Sequence, residues 1–484
     1  MPSASLDDLR RDLAAPLPHP DLAELQDYSE QTLRWLLDHF ATLPQQSIGD
    51  TAGRAAMDSL LFEPAPEAGS DFAAVLAEFA GKVARHSFRV NHPRFLGFIP
   101  SAPSFVSVLG DLLCAGTNFF AGVWLEAAGP TEVELVVLDW FRTLLGLPAE
   151  TRGLLTSGGS EATLTALHAA RETLSVSDRG RAVLYCADQR HHSVDRAVRI
   201  LGLNAAQMRS LPTDTGFRLS PELVAAAVRR DRAEGRLPWA LVATAGTTNT
   251  GAVDPVAALA ELCGSEKLWF HVDAAYGWPA VLVPEGQAEL AGIERADSVT
   301  LDPHKWFAQC FEAGCVLVRD GRRLIDAFAT YADYMTDVAA QPDEINFCDH
   351  GIALSRRFRA LKIWLSVKVL GLGWYRALIE RSMRLADFAQ GLLDESERFE
   401  VLSPRQLSIV CFRYRPPGER DEARIERINQ GILDALRADG RAFISSTRLS
   451  GRLALRFCFV NWRTTSTDVE QVVELLEQLG GELH

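Results

Sequence analysis

The feature of this sequence that most constrains its fold is an alternation of helical patterns with short apolar, β-branched runs between about residues 130 and 370. The strand-like runs are Ala182-Val-Leu-Tyr-Cys, Trp239-Ala-Leu-Val-Ala-Thr, Leu268-Trp-Phe-His-Val-Asp, Ser298-Val-Thr-Leu and Cys315-Val-Leu-Val. Such alternation predicts βαβ units and a mainly parallel sheet with helices on both faces. Ligands of these sheets bind at the carboxyl ends of the strands, so candidate functional residues belong there.

The segments on either side of this region predict two further units. Residues 1–95 carry apolar residues at helical spacing, broken by prolines near residues 16–20 and 64–66, which is typical of a helical arm. Toward the end of the chain, strand-like runs near residues 407 and 453 are interleaved with helical patterns at 421–438 and 467–479. We therefore expect an α/β protein with an arm at 1–95, a large domain at 96–375 and a small C-terminal α/β domain at 376–484.

Charge and composition exclude several classes of function. A net charge of -14 argues against a nucleic-acid partner, which clustered Lys and Arg would hold. The N-terminus lacks the basic start and apolar stretch of a signal peptide, and no apolar run is long enough to span a bilayer. The eight cysteines form no CxxC pair, which favours free thiols in a reducing compartment over disulfides or a metal site. We expect a soluble cytoplasmic protein without nucleic-acid, membrane or metal partners.

A glycine pair marks the first candidate site. The run Leu154-Leu-Thr-Ser-Gly-Gly-Ser-Glu passes from a strand end through Gly158 and Gly159 into a long helical pattern. Glycines let the backbone approach an anion closely, and Ser160 adds a hydroxyl to the free N–H groups and positive end of the helix dipole. This pattern predicts a phosphate cradle, although the same residues also suit an ordinary capped helix start with Glu161 in its first turn.

Two further candidates follow strands. Asp273 ends a buried strand, where a carboxylate needs a cationic partner; either a structural arginine or a protonated pyridine nitrogen would serve. Lys305, one of only five lysines, follows another strand and lies between His304 and Trp306. Crowding and desolvation favour a neutral amine, which can form a Schiff base, whereas a solvated lysine after a turn is the alternative.

The order of these motifs resembles that of the group II amino-acid decarboxylases, enzymes dependent on pyridoxal 5′-phosphate (PLP) that include the aromatic-amino-acid and glutamate decarboxylases. The resemblance runs from about residue 92 to residue 373. Matching segments are His92-Pro-Arg-Phe, Thr131-Glu-Val-Glu-Leu-Val-Val-Leu-Asp-Trp, Asp188-Gln-Arg-His-His-Ser-Val, His271-Val-Asp-Ala-Ala-Tyr, Asp302-Pro-His-Lys-Trp and Arg356-Arg-Phe-Arg-Ala-Leu-Lys. It implies PLP-dependent transferase fold type I, the aspartate aminotransferase-like fold, with a mainly parallel seven-stranded sheet in the large domain.

The resemblance also implies a role for each matching residue. Lys305 would hold PLP as a Schiff base, Asp273 would pair with its ring nitrogen, and His191 would stack on the ring; these three would be the catalytic residues. The remaining cofactor contacts would come from Gly159, Ser160, Thr248, Ala275, Asp302 and His304, and Ser101 would lie near the substrate. A homodimer with shared active sites is implied as well, its N-terminal helices wrapping the partner subunit.

Two positions depart from the family pattern. Asp302 stands where aromatic-amino-acid decarboxylases often have asparagine, and a carboxylate beside a phosphate repels it unless protonated or turned away. In the family, a loop tyrosine is thought to protonate the carbon that loses CO2. Counting back from Arg356 places Phe347 at that position, and a phenyl ring cannot donate a proton. The side chains that could substitute are Tyr331, Tyr334 and His350.

The function implied is that of a carboxy-lyase that converts an L-amino acid to its amine and CO2. An apolar approach through Phe98, Ile99, Pro100 and Trp124 favours an aromatic substrate. The alternatives are an aldehyde synthase, if no group protonates the carbanion, and an aminotransferase on the same scaffold. A catalytically silent PLP-binding paralogue is a further alternative, but Lys305 and Asp273, whose loss would mark it, are both present.

Overall fold

The computed structural model describes residues 5–100, 102–330, 341 and 343–484, and the chain divides into two compact units, Met1–Arg89 and Val90–His484. The helices of the first unit are α1 (Leu6–Asp12), α2 (Leu22–Thr42), α3 (Arg54–Leu61) and α4 (Phe72–Glu78). Asp21 begins α2 with a reciprocal capping box to Glu24. The ring of Tyr28 stacks on that of Phe72 with centroids 4.4 Å apart, which ties α2 to α4. No residue of α2 is buried.

The second unit contains a seven-stranded sheet. Its strands are β1 (Arg152–Thr156), β2 (Ala182–Ala187), β3 (Met208–Leu211), β4 (Leu237–Thr244), β5 (Trp269–Asp273), β6 (Ser298–Leu301) and β7 (Gly314–Val318), in the order β1-β7-β6-β5-β4-β2-β3. Neighbouring strands are parallel except where β7 runs antiparallel to β1 and β6. The predicted mainly parallel seven-stranded sheet is therefore confirmed.

The helices that cover this sheet explain why its strands are continuously apolar. They are α5 (Phe105–Thr117), α6 (Trp124–Leu144), α7 (Gly159–Glu172), α8 (His192–Ile200), α9 (Pro221–Ala233), α10 (Val256–Glu266), α11 (Pro284–Glu289), α12 (Arg322–Phe328) and α13 (Ala360–Glu395). Every residue of β2, β6 and β7 is buried, as expected for strands covered on both faces. The long helix α13 kinks at Gly371, whose φ of 74° favours glycine.

A second, smaller sheet lies toward the C-terminus. Its strands are β8 (Phe399–Gln406), β9 (Ile409–Tyr414), β10 (Ser445–Leu449) and β11 (Arg452–Cys458), all antiparallel in the order β10-β11-β9-β8. Residues of α13, α14 (Glu422–Asp439) and α15 (Ser466–Glu482) share a separate apolar core with this sheet. The predicted small C-terminal α/β unit is confirmed, while the boundaries between the three predicted domains remain predictions.

Two observations concern the environment of the protein. None of the helices within the described ranges is long and apolar enough to cross a membrane. All eight cysteines are free, and all but Cys310 are buried.

Candidate active site

The predicted residues that follow three strands of the large sheet line one cavity. β1 leads into Gly158 and Gly159, β5 ends at Asp273, and β6 is followed by Asp302. Since these strands run in the same direction, the residues meet at one edge of the sheet. There they surround a cavity of about 390 Å³, lined by Ser157, Gly158, Gly159, Ser160, His191, Ser193, Asp273, Ala275, Asp302, His304, Lys305, Phe311 and Glu312.

The glycine turn leaves room for an anion at the start of α7. A methyl group on Gly159 would lie 2.8 Å from Oδ2 of Asp302 and 3.4 Å from Cβ of Ala275, so only glycine keeps this space open. The N–H and hydroxyl of Ser157 donate to Glu161 at 2.8 and 2.7 Å, but the N-cap of α7 is Gly158 and no side chain caps the first N–H groups of the helix. The first N–H groups and positive dipole end of α7 therefore border a space suited to a phosphate.

Lys305 contacts a buried carboxylate that lines the same cavity. Its Nζ lies 3.1 Å from Oδ2 of Asp302, which is 3% exposed, and Oδ1 of Asp302 is buried without a hydrogen-bond partner. Nε2 of His304 lies 3.7 Å from the same Oδ2. The N–H of Ala313 donates to Nδ1 of His304 at 3.0 Å, so the neutral ring carries its proton on Nε2. Burial lowers the pKa of His304 and favours that neutral form.

Asp273 and His191 complete the first cavity. Asp273 is buried and accepts a hydrogen bond of 3.2 Å from the N–H of Ala275. Among the described residues no arginine lines the cavity around Asp273, which disfavours a structural arginine as its partner. His191 is the N-cap of α8, and its Nδ1 accepts from the N–H of Ser193 at 3.2 Å, which leaves Nε2 as the protonated nitrogen. Burial lowers the pKa of His191, although the Asp273 carboxylate opposes this shift.

A second cavity of about 330 Å³ adjoins the first. Its lining consists of Phe98, Ile99, Pro100, His191, Thr248, Asn249, Lys305, Phe311, Ser445, Ser446, Thr447 and Arg456. His191, Lys305 and Phe311 line both cavities, so the two spaces share one wall. Thr248 lines the second cavity and not the first. Trp124 begins α6 and lines neither of them, so it is not part of the described approach.

Arg456 is a residue of this site that the sequence analysis missed. It lies on β11 of the small sheet and is only 3% exposed. Its Nε donates to the carbonyl of Asn249 at 3.1 Å, and its Nη1 donates to the carbonyl of Phe98 at 3.1 Å and to Oγ of Ser445 at 2.9 Å. Nothing in the arginine-rich sequence distinguishes this residue, because its position follows from packing of the small sheet against the large one.

Of the remaining candidates, the structure describes only Phe347 and His350. Ser101, Tyr331 and Tyr334 fall outside the described residues. Phe347 is buried beneath the guanidinium of Arg356, whose Cζ is 4.9 Å from the ring centroid. Phe347 and His350 line another cavity, together with Arg152 and Gly153 at the amino end of β1. Within the described part of one chain, neither side chain reaches the edge that carries Lys305.

These features define a class of protein. An anion cradle at a helix N-terminus, a buried acid and a lysine, all at strand ends of a mainly parallel sheet, fit PLP: the cradle suits its phosphate, Lys305 its aldehyde and Asp273 its ring nitrogen. In the part of the chain that the structure describes, no cluster of His, Cys, Asp or Glu could hold a metal ion instead.

Comparison with known proteins assigns the family. Residues 55–415 match the model of the pyridoxal-dependent decarboxylase conserved domain. The chain is 38% identical over 461 residues to an aromatic-L-amino-acid decarboxylase of Bacillus atrophaeus, covering 95% of this chain and 96% of that one. It is 31% identical over 471 residues to a phenylacetaldehyde synthase of Arabidopsis thaliana, covering 95% and 96%. The chain belongs to the pyridoxal-dependent decarboxylase family.

A solved structure supports the same conclusion. The crystal structure of Oryza sativa TDC with PLP and tryptamine superposes with a TM-score of 0.92 at 28% identity, covering 97% of this chain and all of that one. The predicted fold type I, the predicted PLP cofactor and the predicted amino-acid decarboxylase activity are confirmed. The roles of the individual site residues remain predictions.

Proposed function

We propose that this protein decarboxylates aromatic L-amino acids to the corresponding amines and CO2. The observation that carries the proposal is the second cavity, which adjoins Lys305 and offers an apolar wall with one arginine. The decarboxylase of Bacillus atrophaeus, named for aromatic L-amino acids, supports this substrate class.

The first cavity supplies the residues that would hold the cofactor. Gly159, Ser160 and the N-terminus of α7 would bind the phosphate, and Asp273 would keep the ring nitrogen protonated. His191 and Ala275 would contact the ring. When bound here, PLP supplies an electron sink for the pair left behind when CO2 departs.

Asp302 is placed to act as a base toward Lys305. The lysine must lose a proton before it can bond covalently to an aldehyde, and Oδ2 of Asp302 lies 3.1 Å from Nζ. The other oxygen of Asp302 has no hydrogen-bond partner. This geometry supports a proton-accepting role for Asp302 in addition to, or in place of, the phosphate contact that the family resemblance implies.

The second cavity favours an aromatic side chain. Phe98 is 58% exposed, as is Phe311, so both rings offer open apolar surface to a substrate ring. Arg456 gives the same cavity a fixed positive charge that attracts a substrate carboxylate. A substrate with an acidic side chain would need a second cation, and in the described lining Arg456 is the only arginine. Arg456 would orient the substrate α-carboxylate, and the orientation of the bond that breaks is what selects decarboxylation over transamination.

Phe347 supports a second candidate function. If no group protonates the carbon that has lost CO2, its electron pair can reduce O2. The balanced outcome is amino acid plus O2 plus water giving aldehyde, CO2, ammonia and hydrogen peroxide. The likeness to phenylacetaldehyde synthase of Arabidopsis thaliana favours this candidate as well.

One product analysis tests both candidates. PLP-loaded protein is incubated with L-tyrosine, L-phenylalanine, L-tryptophan and L-glutamate, and CO2, amine, aldehyde, ammonia and peroxide are quantified in the same samples. CO2 with equimolar amine from the aromatic substrates supports the decarboxylase, whereas CO2 with aldehyde, ammonia and peroxide supports the synthase. Release of CO2 from glutamate alone, or from none of the four, refutes the aromatic assignment.

Variants then locate the proton donor. Phe347→Tyr converts an aldehyde-forming enzyme toward amine if Phe347 occupies the donor position, because it restores a hydroxyl there. If the wild type forms amine, Tyr331→Phe and Tyr334→Phe test the two remaining tyrosines, and the variant that loses amine but keeps CO2 release identifies the donor. Lys305→Ala is the negative control, since it removes the amine that binds the cofactor.

We infer further that the protein acts as a homodimer in the cytoplasm. On α5, Leu109, Leu112 and Leu113 follow one another at helical spacing and are 37%, 55% and 51% exposed, and Leu125 at the start of α6 is 69% exposed. Apolar side chains grouped in this way are typical of an interface. A second copy covering this face would border the active site, because Ser107 of α5 accepts a hydrogen bond from the N–H of Cys310. The absence of buried residues in α2 supports an arm that packs on a partner.

Light scattering measures the oligomeric state directly. The wild type should have the mass of two chains, and Leu112→Lys, which places a charge on the α5 face, should shift it toward one chain. A wild type of one chain's mass would contradict the inference. Free thiols support the cytoplasmic assignment, which cell fractionation of the native host tests.

A further inference from the structure

Lys362, near the start of α13, is buried in a way that is uncommon for lysine. Its side chain is 2% exposed. Nζ donates to Oδ2 of Asp111 on α5 and to the carbonyl oxygens of Cys310 and Phe311, each at 3.1 Å. All three ammonium protons therefore have an acceptor, and two of these acceptors belong to one short backbone segment.

That segment forms the wall between the two cavities. Phe311 lines both of them, and Glu312 lines the first. Upstream, the carbonyl of Ala308 accepts from the N–H of Ser104, and the N–H of Cys310 donates to Oγ of Ser107, both at 3.0 Å. The segment 308–311 is thus fastened to the start of α5 on one side and to Lys362 on the other.

The position of this backbone determines two features of the active site. Phe311 is 58% exposed, so its ring is directed by its backbone more than by packing. Its centroid lies 5.0 Å from that of His304. Two residues further along, the N–H of Ala313 donates to Nδ1 of His304 and so sets the ring orientation.

We propose that Lys362 is a positioning residue for the active site, acting through the carbonyls of Cys310 and Phe311. Its ammonium fixes the Phe311 ring against the substrate cavity and, through Ala313, the orientation of His304 in the cofactor cavity. The inference rests on the proposed function, because it assigns these walls to an aromatic substrate and to PLP.

Helix packing alone does not account for this ammonium. A methyl group on Gly110 would lie 2.5 Å from Cα of Lys362, so α5 and α13 already meet backbone to backbone at this point. A neutral apolar side chain would fill the same volume with a lower desolvation cost, and burial indeed lowers the pKa of Lys362. The ammonium supplies hydrogen-bond donors to the carbonyls of Cys310 and Phe311. An apolar side chain at position 362 could not make these two bonds.

The test compares Lys362→Met with Lys368→Met. Lys368 lies on the same helix but is exposed, with its Nζ 5.7 Å from the centroid of the Trp364 ring, so the control removes the same charge without touching the wall. For each variant we would measure the dissociation constant of PLP, kcat and KM for the best aromatic substrate, and the thermal midpoint of the PLP-loaded protein.

We expect Lys362→Met to raise KM about tenfold, the size of a lost hydrogen bond to a charged group, with a smaller change in kcat. PLP should bind several-fold more weakly because His304 loses its fixed orientation. Combining Lys362→Met with Phe311→Ala should raise KM no further than the larger single effect, because both act on one ring. Lys368→Met should resemble the wild type in every readout.

KM and PLP affinity within twofold of Lys368→Met, with only the thermal midpoint lowered, would show a purely structural role and overturn the proposal. If Lys362→Met does not fold, Lys362→Gln, which keeps an N–H donor, is measured against Lys368→Gln under the same criteria. A wild type that binds PLP but releases no CO2 from aromatic substrates would refute the proposed function itself, and the assigned role of Lys362 with it.

Discussion

Gly159→Ala is the substitution for which the structure gives the most direct expectation. The added methyl would lie 2.8 Å from Oδ2 and 3.3 Å from Cγ of Asp302, closer than ordinary contact permits. Asp302 is held by Lys305 and buried, so it has little freedom to move away. The methyl would also occupy the space where a phosphate approaches the N-terminus of α7. Losing one charged hydrogen bond there would weaken PLP binding by about tenfold to a hundredfold.

Titration of cofactor-free protein with PLP, followed by absorbance, measures this effect. Gly264→Ala is the matched control, because Gly264 lies in helix α10 and an added methyl meets nothing within 4 Å. The control should bind PLP like the wild type. Equal PLP affinity for Gly159→Ala and Gly264→Ala would refute the placement of the phosphate at this turn.

Three further expectations concern buried charges. Glu134→Gln should lower the free energy of unfolding by about 3–5 kcal/mol in urea titrations, because Glu134 and Arg356 form an ion pair with both side chains at 0% exposure. Asp302→Asn should bind PLP about tenfold more tightly, since a like charge near the phosphate is removed, while the covalent bond to Lys305 should form more slowly without the base. His271 has its pKa lowered to about 4 by burial, against about 6.5 unfolded, so the protein should lose about 3 kcal/mol of stability as pH falls through this range. In His271→Gln, the free energy of unfolding should depend less on pH over the same range.

Each of these expectations has a contradicting result. Unchanged unfolding of Glu134→Gln would mean that the buried pair is not retained in solution. Weaker PLP binding by Asp302→Asn would assign the carboxylate a direct attractive contact with the cofactor. A stability profile between pH 4 and 6.5 that is identical in wild type and His271→Gln would show that folding does not lower the pKa of His271.

The large sheet and much of the candidate site follow from local sequence. Strands covered on both faces must be continuously apolar, so β2, β4, β5, β6 and β7 are visible as runs of five or so residues. Parallel strands share one carboxyl edge, so residues that follow different strands, such as Gly159, Asp273 and Lys305, meet at that edge although they lie far apart in the chain. Backbone periodicity and strand direction are sufficient for this inference.

Only the tertiary structure decided which side chains touch. The pairing of Lys305 with Asp302, the entry of Arg456 from the small sheet, the placement of Phe347 under Arg356 and the three bonds of Lys362 each depend on how separate elements pack. The neighbouring sequence does not identify these residues. The local sequence around a charged residue in a strand or helix is the same whether that residue contacts water or a carbonyl far away in the chain. The sequence determined the sheet and the edge where the chemistry occurs, and long-range packing determined the contacts that shape it.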